Sequence, residues 1–501
     1  MPNKSTTTGK KYWLILIFIT VITFFPRAAQ VFNPYNYFFD PEQGTEYLVT
    51  KSIIVDHQIV LTAHQGGFGL FSKGAGFNYI LAIPFILDKG DPFGGRILML
   101  VISVLTVSLA FILANRMFGL RTATIIGLLL AMSPILKDYA GGISPPFIIP
   151  LLTVLLIYFL FRVFNGENKF ILLVALVVGL MVHFETAAMG ILSVLLILTE
   201  IVSIVKKQIP YRYFFLGIIF FILPILPIIV FDVGHNFKNT KGVMKMLEMT
   251  NPQDSGLLSH NLWDLLGNRF NIFSWNFVST FSPNLTIWLF VLGLILLGLF
   301  LFVRDKKVVP KKKIFILYLG LIPVITFLAL MVYPGKVINQ WWITYLSVIY
   351  CFLLGVVLNY LWDKNKFKPL IVLVALILGL AFITRTIFIY KTQFIYPPNN
   401  YIREISVIKY VFEDAKGKPF GLQVFAKRDQ ANYDYLIWWI GNTNYKYQPY
   451  REKKGLYYII IEPNYYPLLK TKVTLASLSA GVLLKTKQLP NGFIIEKRLV
   501  N

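Results

Sequence analysis

The sequence predicts a polytopic α-helical membrane protein that carries a small extracytoplasmic α/β domain at its C-terminal end. Three observations predict it. Of 501 residues, 56% are hydrophobic and 16% aromatic, with a mean hydropathy of +0.64, which is more apolar length than one soluble core uses. The apolar residues gather into runs near the ~20 residues that cross a bilayer. After about residue 390 the runs give way to short alternating segments parted by Pro, Gly and Asn.

About eleven runs read as spans, near 12–31, 94–115, 122–136, 146–161, 170–184, 187–205, 213–231, 285–303, 314–332, 341–361 and 369–390. The first has a competing reading as a cleaved leader, because Lys10 and Lys11 precede Trp13–Phe25 and Ala28-Ala29 follow. Apolar character resumes after Arg27 and completes a full span, which favours a retained helix.

The net charge of +24 is explained mostly by topology rather than by nucleic-acid binding. With the N-terminus in the cytoplasm, Lys4, Lys10, Lys11, Arg116, Arg121, Arg162, Lys169, Lys206, Lys207, Arg212, Arg304, Lys306, Lys307, Lys311, Lys312, Lys313, Lys364, Lys366 and Lys368 fall inside. Glu167, Asp305 and Asp363 are the acids of the same segments, so the positive-inside rule supports this orientation. The chain then divides into a transmembrane module, 1–390, and a tail, 391–501. The first loop (34–92), a second long loop (232–284) and the tail all lie on the extracytoplasmic face of what reads as a plasma-membrane protein.

Within the tail, Phe420–Ala426, Leu456–Glu462, Gly481–Lys487 and Gly492–Lys497 alternate as strands do, while Ile402–Ala415 and Tyr433–Ile440 have helical spacing. Tyr457, Tyr458, Tyr465 and Tyr466 form an aromatic cluster, read first as packing or interfacial anchoring and second as a sugar platform.

The first loop holds the acids a membrane enzyme needs: Asp40, Glu42, Glu46, Asp56, Asp88 and Asp91, against Lys51, Lys73 and Lys89. Asp40 before Pro41, with Gln43 at the third helical position, is a helix-start signature for Glu42–Val55, so capping is its first role. A capping carboxylate keeps acceptor capacity for a substrate hydroxyl, and the two roles are compatible. Gly66, Gly67, Gly69, Gly74 and Gly76 bracket Lys73, where backbone N–H groups can approach an anion; a flexible linker has the same composition. Phe77–Leu87 is apolar but too short to cross, and reads as a juxtamembrane or re-entrant piece.

Further candidates lie at span ends on the same face. His183 and Glu185 close the fifth span, where an ionisable group points to substrate unless water is near. Lys137 and Asp138 after the third span, with Lys336, Asn339 and Gln340 before the tenth, are phosphate ligands or solvated anchors. The five histidines, at 57, 64, 183, 235 and 260, show no His-x-x-x-His spacing, and no Asp-x-Asp occurs. Cys351 sits inside an apolar run. No metal or other cofactor is expected.

Several of these residues recur in a known order. An acidic Asp-x-Glu motif after the first span (Asp40, Glu42) is followed by Lys73-Gly74 with Asn78-Tyr79, Arg96 opening the next span, the Asn115-Arg116-x-Phe118-Gly119 turn and Ala131-Met132-Ser133-Pro134. The set resembles the GT-C membrane glycosyltransferases, in the branch of protein O-mannosyltransferases and aminoarabinose transferases. The resemblance runs from residue 12 to about 140 and more loosely to 390. It departs from the family where Pro41 separates Asp40 from Glu42, where Ala75 replaces a common Pro, and throughout the tail.

The resemblance implies an inverting transfer from a polyprenyl-phosphate-linked sugar donor to an acceptor protein or glycolipid, with Asp40 as general base and Glu42 assisting. Lys73, Tyr79, Arg96, Lys137, Asp138, His183, Glu185, Lys336 and Gln340 become the candidate substrate-binding set. A polyprenyl phosphate departs already ionised, so such a site needs a base and cations but neither a general acid nor a metal. The competing class is a lipid-linked glycan or solute transporter or flippase, which calls for inverted repeats and mid-membrane ionisable groups. The sequence shows no internal repeat and few mid-span charges.

Overall fold

The computed structural model describes residues 9–66, 71–205, 210–248, 262–281, 285–333, 338–392, 400–426, 429–463 and 481–500. Helix α1 (Lys10–Val31) leads into α2 (Pro41–Ile54), a hairpin of β1 (Thr62–Gly66) and β2 (Phe71–Gly74), and α3 (Gly76–Leu87). The bundle continues through α4 (Pro92–Phe118), α5 (Leu120–Met132), the short α6 (Pro134–Asp138), α7 (Ile149–Phe164), α8 (Phe170–Leu180) and α9 (Thr186–Val205). A 3₁₀ turn, Leu223–Ile225, joins α10 (Tyr211–Ile222) to α11 (Leu226–Gly234). Pro224 and Pro227 have no N–H to donate, so the regular helix gives way there.

Next come α12 (Lys238–Glu248), α13 (Leu262–Phe281), α14 (Leu285–Arg304), α15 (Pro310–Val332), α16 (Thr344–Trp362) and α17 (Lys368–Thr392). Among the described residues eight stretches are long and apolar enough to cross a membrane, and together with the shorter α5, α8 and α9 they fall on the eleven expected runs. α16 is the bundle's central helix, with 89% of its most apolar window buried, against 11% for α10–α11 and 17% for α17. A helix apolar all round must meet either protein or lipid, and these three take the two extremes.

One end of the bundle carries ion pairs, Arg121–Asp363 at 2.7 Å, Lys364–Asp305 at 2.7 Å and Arg162–Glu167. The other carries α2, the hairpin, α3 and the C-terminal unit. That unit comprises α18 (Tyr401–Ala415), β3 (Phe420–Phe425), α19 (Ala431–Ile440), β4 (Gly455–Ile461), β5 (Val482–Gln488) and β6 (Ile494–Val500), with sheet order β3-β4-β6-β5. β3 and β4 are parallel, pairing Phe420 with Leu456, and α19 forms the crossover between them. Tyr457–Ile461 are all buried, as befits a central strand covered on both faces. Tyr457 and Tyr458 therefore pack within the domain; Tyr465 and Tyr466 lie outside the described residues.

Phe77–Leu87, expected as a non-crossing piece, is α3. The expected loop 232–284 contains two helices, α12 and α13. α13 buries Arg269, Asn276, Phe277, Thr280 and Phe281 on one face, and its mixed polarity kept it from reading as an apolar run. Arg269 donates to the carbonyls of Leu330 (3.1 Å) and Tyr333 (2.7 Å), which fastens α13 to the end of α15.

Candidate active site

Asp40 stands where its sequence context places it, at the N-cap of α2. Its Oδ1 accepts from the Gln43 amide N–H at 2.9 Å and its Oδ2 from the Gln43 side chain at 3.2 Å. A carboxylate offers about four lone-pair sites, and these bonds orient the group. Gln43 is fixed in turn by the Tyr37 hydroxyl at 3.0 Å. Asp40 is half-buried, and Glu42, in the first turn, is exposed.

Behind Asp40, Arg96 is fully buried at the head of α4. It donates to the carbonyls of Gln30 (3.0 Å), Asn33 (3.4 Å) and Gly141 (3.2 Å), and its guanidinium lies 4.5 Å from the Tyr37 ring centroid. These contacts pin the chain leaving α1. Arg96 supports the floor under Asp40 through backbone carbonyls and an aromatic face.

Lys73, in β2, belongs to a second group. Gly74 and Gly76 press against the ring of His183: a Cβ on either would lie 2.0 and 2.7 Å from its atoms. His183 Nδ1 accepts from the Gly76 amide at 3.1 Å, so the ring proton sits on Nε2, 2.8 Å from the Pro224 carbonyl. Glu185, two residues on, is buried and accepts from the Ala187 amide at 3.2 Å. Burial pushes its carboxyl above the usual range, and the charge of Lys73 partly offsets this. The structure thus brings Lys73, His183 and Glu185 together. Asn78, five residues after Lys73, donates to the Glu46 carboxylate at 2.7 Å and to the Glu46 carbonyl at 3.0 Å, tying this group to the helix that Asp40 starts.

Lys137 and Asp138 form a third group beside α17. Lys137 is buried with its ammonium 3.1 Å from Asp138, which also accepts from Arg385 at 3.0 Å. Burial pushes the Lys137 ammonium down, and Asp138 opposes the shift. Lys137 lines a small cavity with Met132, Pro134, Phe281, Phe382 and Arg385. Gln340 is exposed in a 3₁₀ turn before α16. Tyr79 is exposed, and its hydroxyl is held by the Val60 backbone (3.2 and 3.1 Å) rather than by another candidate residue. Lys336 lies outside the described residues.

Sequence reasoning missed Asn239, whose side chain bonds the backbone of Ser72, and Glu404, which sits buried near Asp40. No local pattern announces either, since each acts on a distant segment. Among the described residues no group of three or more His, Cys, Asp or Glu is placed to hold a metal ion.

Residues 72–229 match the family model described as dolichyl-phosphate-mannose-protein mannosyltransferase. Over the whole chain the fold is similar to ArnT from Cupriavidus metallidurans bound to undecaprenyl phosphate, with a TM-score of 0.63 at 11% identity, covering 98% of this chain and 99% of that one. The apo state of the same protein gives 0.60 at 11% identity, covering 97% of each chain. The archaeal oligosaccharyltransferase AglB from Archaeoglobus fulgidus, in complex with an inhibitory peptide and a dolichol-phosphate, gives 0.51 at 12% identity, covering 97% of this chain and 74% of that one. No curated protein sequence matches significantly. The family match is confined to residues 72–229, while the similarity of fold extends over nearly the whole chain.

Proposed function

We propose that the protein moves a sugar from a polyprenyl-phosphate-linked donor to an acceptor hydroxyl, with inversion, at the bundle end that carries the C-terminal unit. In this reading that end faces away from the cytoplasm, and the acceptor is a protein or a glycolipid. The observation that carries it is the placement of a capped carboxylate, Asp40, and a lysine strap, Lys73, at the same end of a fold similar to one solved with undecaprenyl phosphate.

The chemistry divides between the two groups. The acceptor hydroxyl gives its proton to Asp40 as its oxygen attacks the anomeric carbon from the face opposite the phosphate. The bond from that carbon to the phosphate oxygen breaks, and its electron pair leaves with the polyprenyl monophosphate. Lys73 meets the charge that grows on that phosphate. Arg96, through Tyr37 and the turn after α1, keeps Asp40 in place.

The test is transfer by purified protein supplied with undecaprenyl-phosphate-linked sugar. Asn caps a helix about as well as Asp, so Asp40→Asn leaves the fold intact. An amide takes no proton at neutral pH, so the variant transfers at least about a hundred times more slowly. Near-parental transfer by Asp40→Asn would remove Asp40 from the chemistry.

A further inference from the structure

The strap that carries Lys73 is held from two sides by residues far away in the chain. On one side, Asn239 Oδ1 accepts from the Ser72 amide at 2.9 Å and its Nδ2 donates to the Ser72 carbonyl at 3.4 Å. The side chain thus serves as a strand partner for the outer edge of β2. Asn239 is itself immobilised, because Asp232 at the end of α11 accepts from its backbone amide at 2.6 Å and from the Thr240 hydroxyl at 2.5 Å. On the other side, His183 accepts from Gly76 and donates to Pro224, so one ring joins the strap to the turn between α10 and α11.

Ser72 and Gly76 flank Lys73 closely, and both anchors lead back to the α10–α11 unit, one through Pro224 and one through Asp232. A lysine is a charge on a flexible stem, and its usefulness to a phosphate depends on how firmly its backbone is placed. Both nitrogens of His183 are occupied by backbone groups, so the ring has no free atom for substrate in this arrangement.

We infer that His183 and Asn239 are positioning residues, which clamp the strap on both sides of Lys73 and set its ammonium against the donor phosphate. The inference rests on the proposed function. The two imidazole bonds can be separated by substitution. Asn at 183 keeps an acceptor where Nδ1 stands, whereas Gln reaches toward Pro224 and abandons the Gly76 amide.

The experiment measures binding of undecaprenyl phosphate to the purified full chain. His183→Gln and Asn239→Ala each weaken binding about tenfold, the worth of one hydrogen bond to a well-placed group, while His183→Asn, which keeps the Gly76 bond and gives up the one to Pro224, weakens it less. In a Lys73→Met background the same substitutions change nothing further, because the lysine they position is gone. Gly74→Ala, which drives a methyl into the His183 ring, gives the same Lys73-dependent loss from the strap's side. Equal binding by all variants with Lys73 present overturns the inference alone, as does a loss that persists undiminished without Lys73. A parent that binds no polyprenyl phosphate overturns the proposed function and this inference with it.

Discussion

The backbones of Gly44 and Asn432 are in direct contact. A Cβ on Gly44 would lie 2.3 Å from the Asn432 nitrogen and 2.5 Å from its Cα, a space no side chain can share. The Gly44 amide also donates to the Asp40 carbonyl at 3.0 Å, closing the first turn of α2. The helix turn that presents Asp40 therefore has α19 of the C-terminal unit as its wall.

Gly44→Ala tests that wall. The methyl meets backbone, which cannot rotate away, and overpacking of this kind costs about 1–3 kcal/mol. The expected result is a lower melting temperature and faster protease cleavage of the C-terminal unit, with slower transfer because Asp40 moves. Parental melting and cleavage would show that α2 and α19 separate without penalty.

Glu404 gives stability a pH dependence. It is buried in α18, and burial, reinforced by Glu462 and Asp40 and opposed by the Asn432 amide, pushes its carboxyl well above the usual range. The folded state thus keeps a proton that the unfolded chain releases near its ordinary value, about 4.3. Stability from this group is fully present below that value and is lost as pH rises toward the folded value. Glu404→Gln should raise the melting temperature at pH 7–8 and leave it nearly unchanged near pH 4. An equal gain at both pH values would point to packing instead.

Lys73→Met should lower kcat as well as raise the KM for the lipid-linked donor, since the lysine meets the phosphate in the ground state and its growing charge in the transition state. The same reading expects transfer to persist in a chelator such as EDTA. Loss on chelation with recovery on adding Mn²⁺ would demand a metal at the carboxylates instead.

Orientation is open to a direct measurement. With cytoplasmic Lys and Arg as its basis, a reporter that works solely in the cytoplasm should be silent when fused after Val500 and active when fused before α1. Cytoplasmic activity of the C-terminal fusion would reverse the assignment.

What the sequence disclosed and what it withheld follow from range. The Asp40-Pro41-Glu42-Gln43 start is a local device, and the Gln43 amide bonds Asp40 as that pattern demands. The spans are legible because hydropathy is a property of consecutive residues, and the strand of Tyr457–Ile461 is legible for the same reason. The clamp on Lys73 was hidden because Asn239 and Ser72 are 167 residues apart, and His183 and Gly76 are 107 apart. Nothing in either neighbourhood marks a side chain that bonds distant backbone. Tyr79 shows the converse, since an expected substrate residue spends its hydroxyl on Val60. Lys137 was legible as a cation, whereas its burial against Asp138 depends on the packing of α6, α13 and α17.

The loop bearing Asp40 is sealed by residues made hundreds of positions later. Tyr401 donates to Asp91 across 310 residues, Tyr435 to Gly90 across 345 and Trp439 to Lys89 across 350. During synthesis at roughly 5–20 residues per second, the first loop is made roughly 15–70 s before these partners. For that interval the first loop waits without its wall. A chain stalled before Asn400 therefore holds the helices of the bundle while lacking the contacts that frame Asp40.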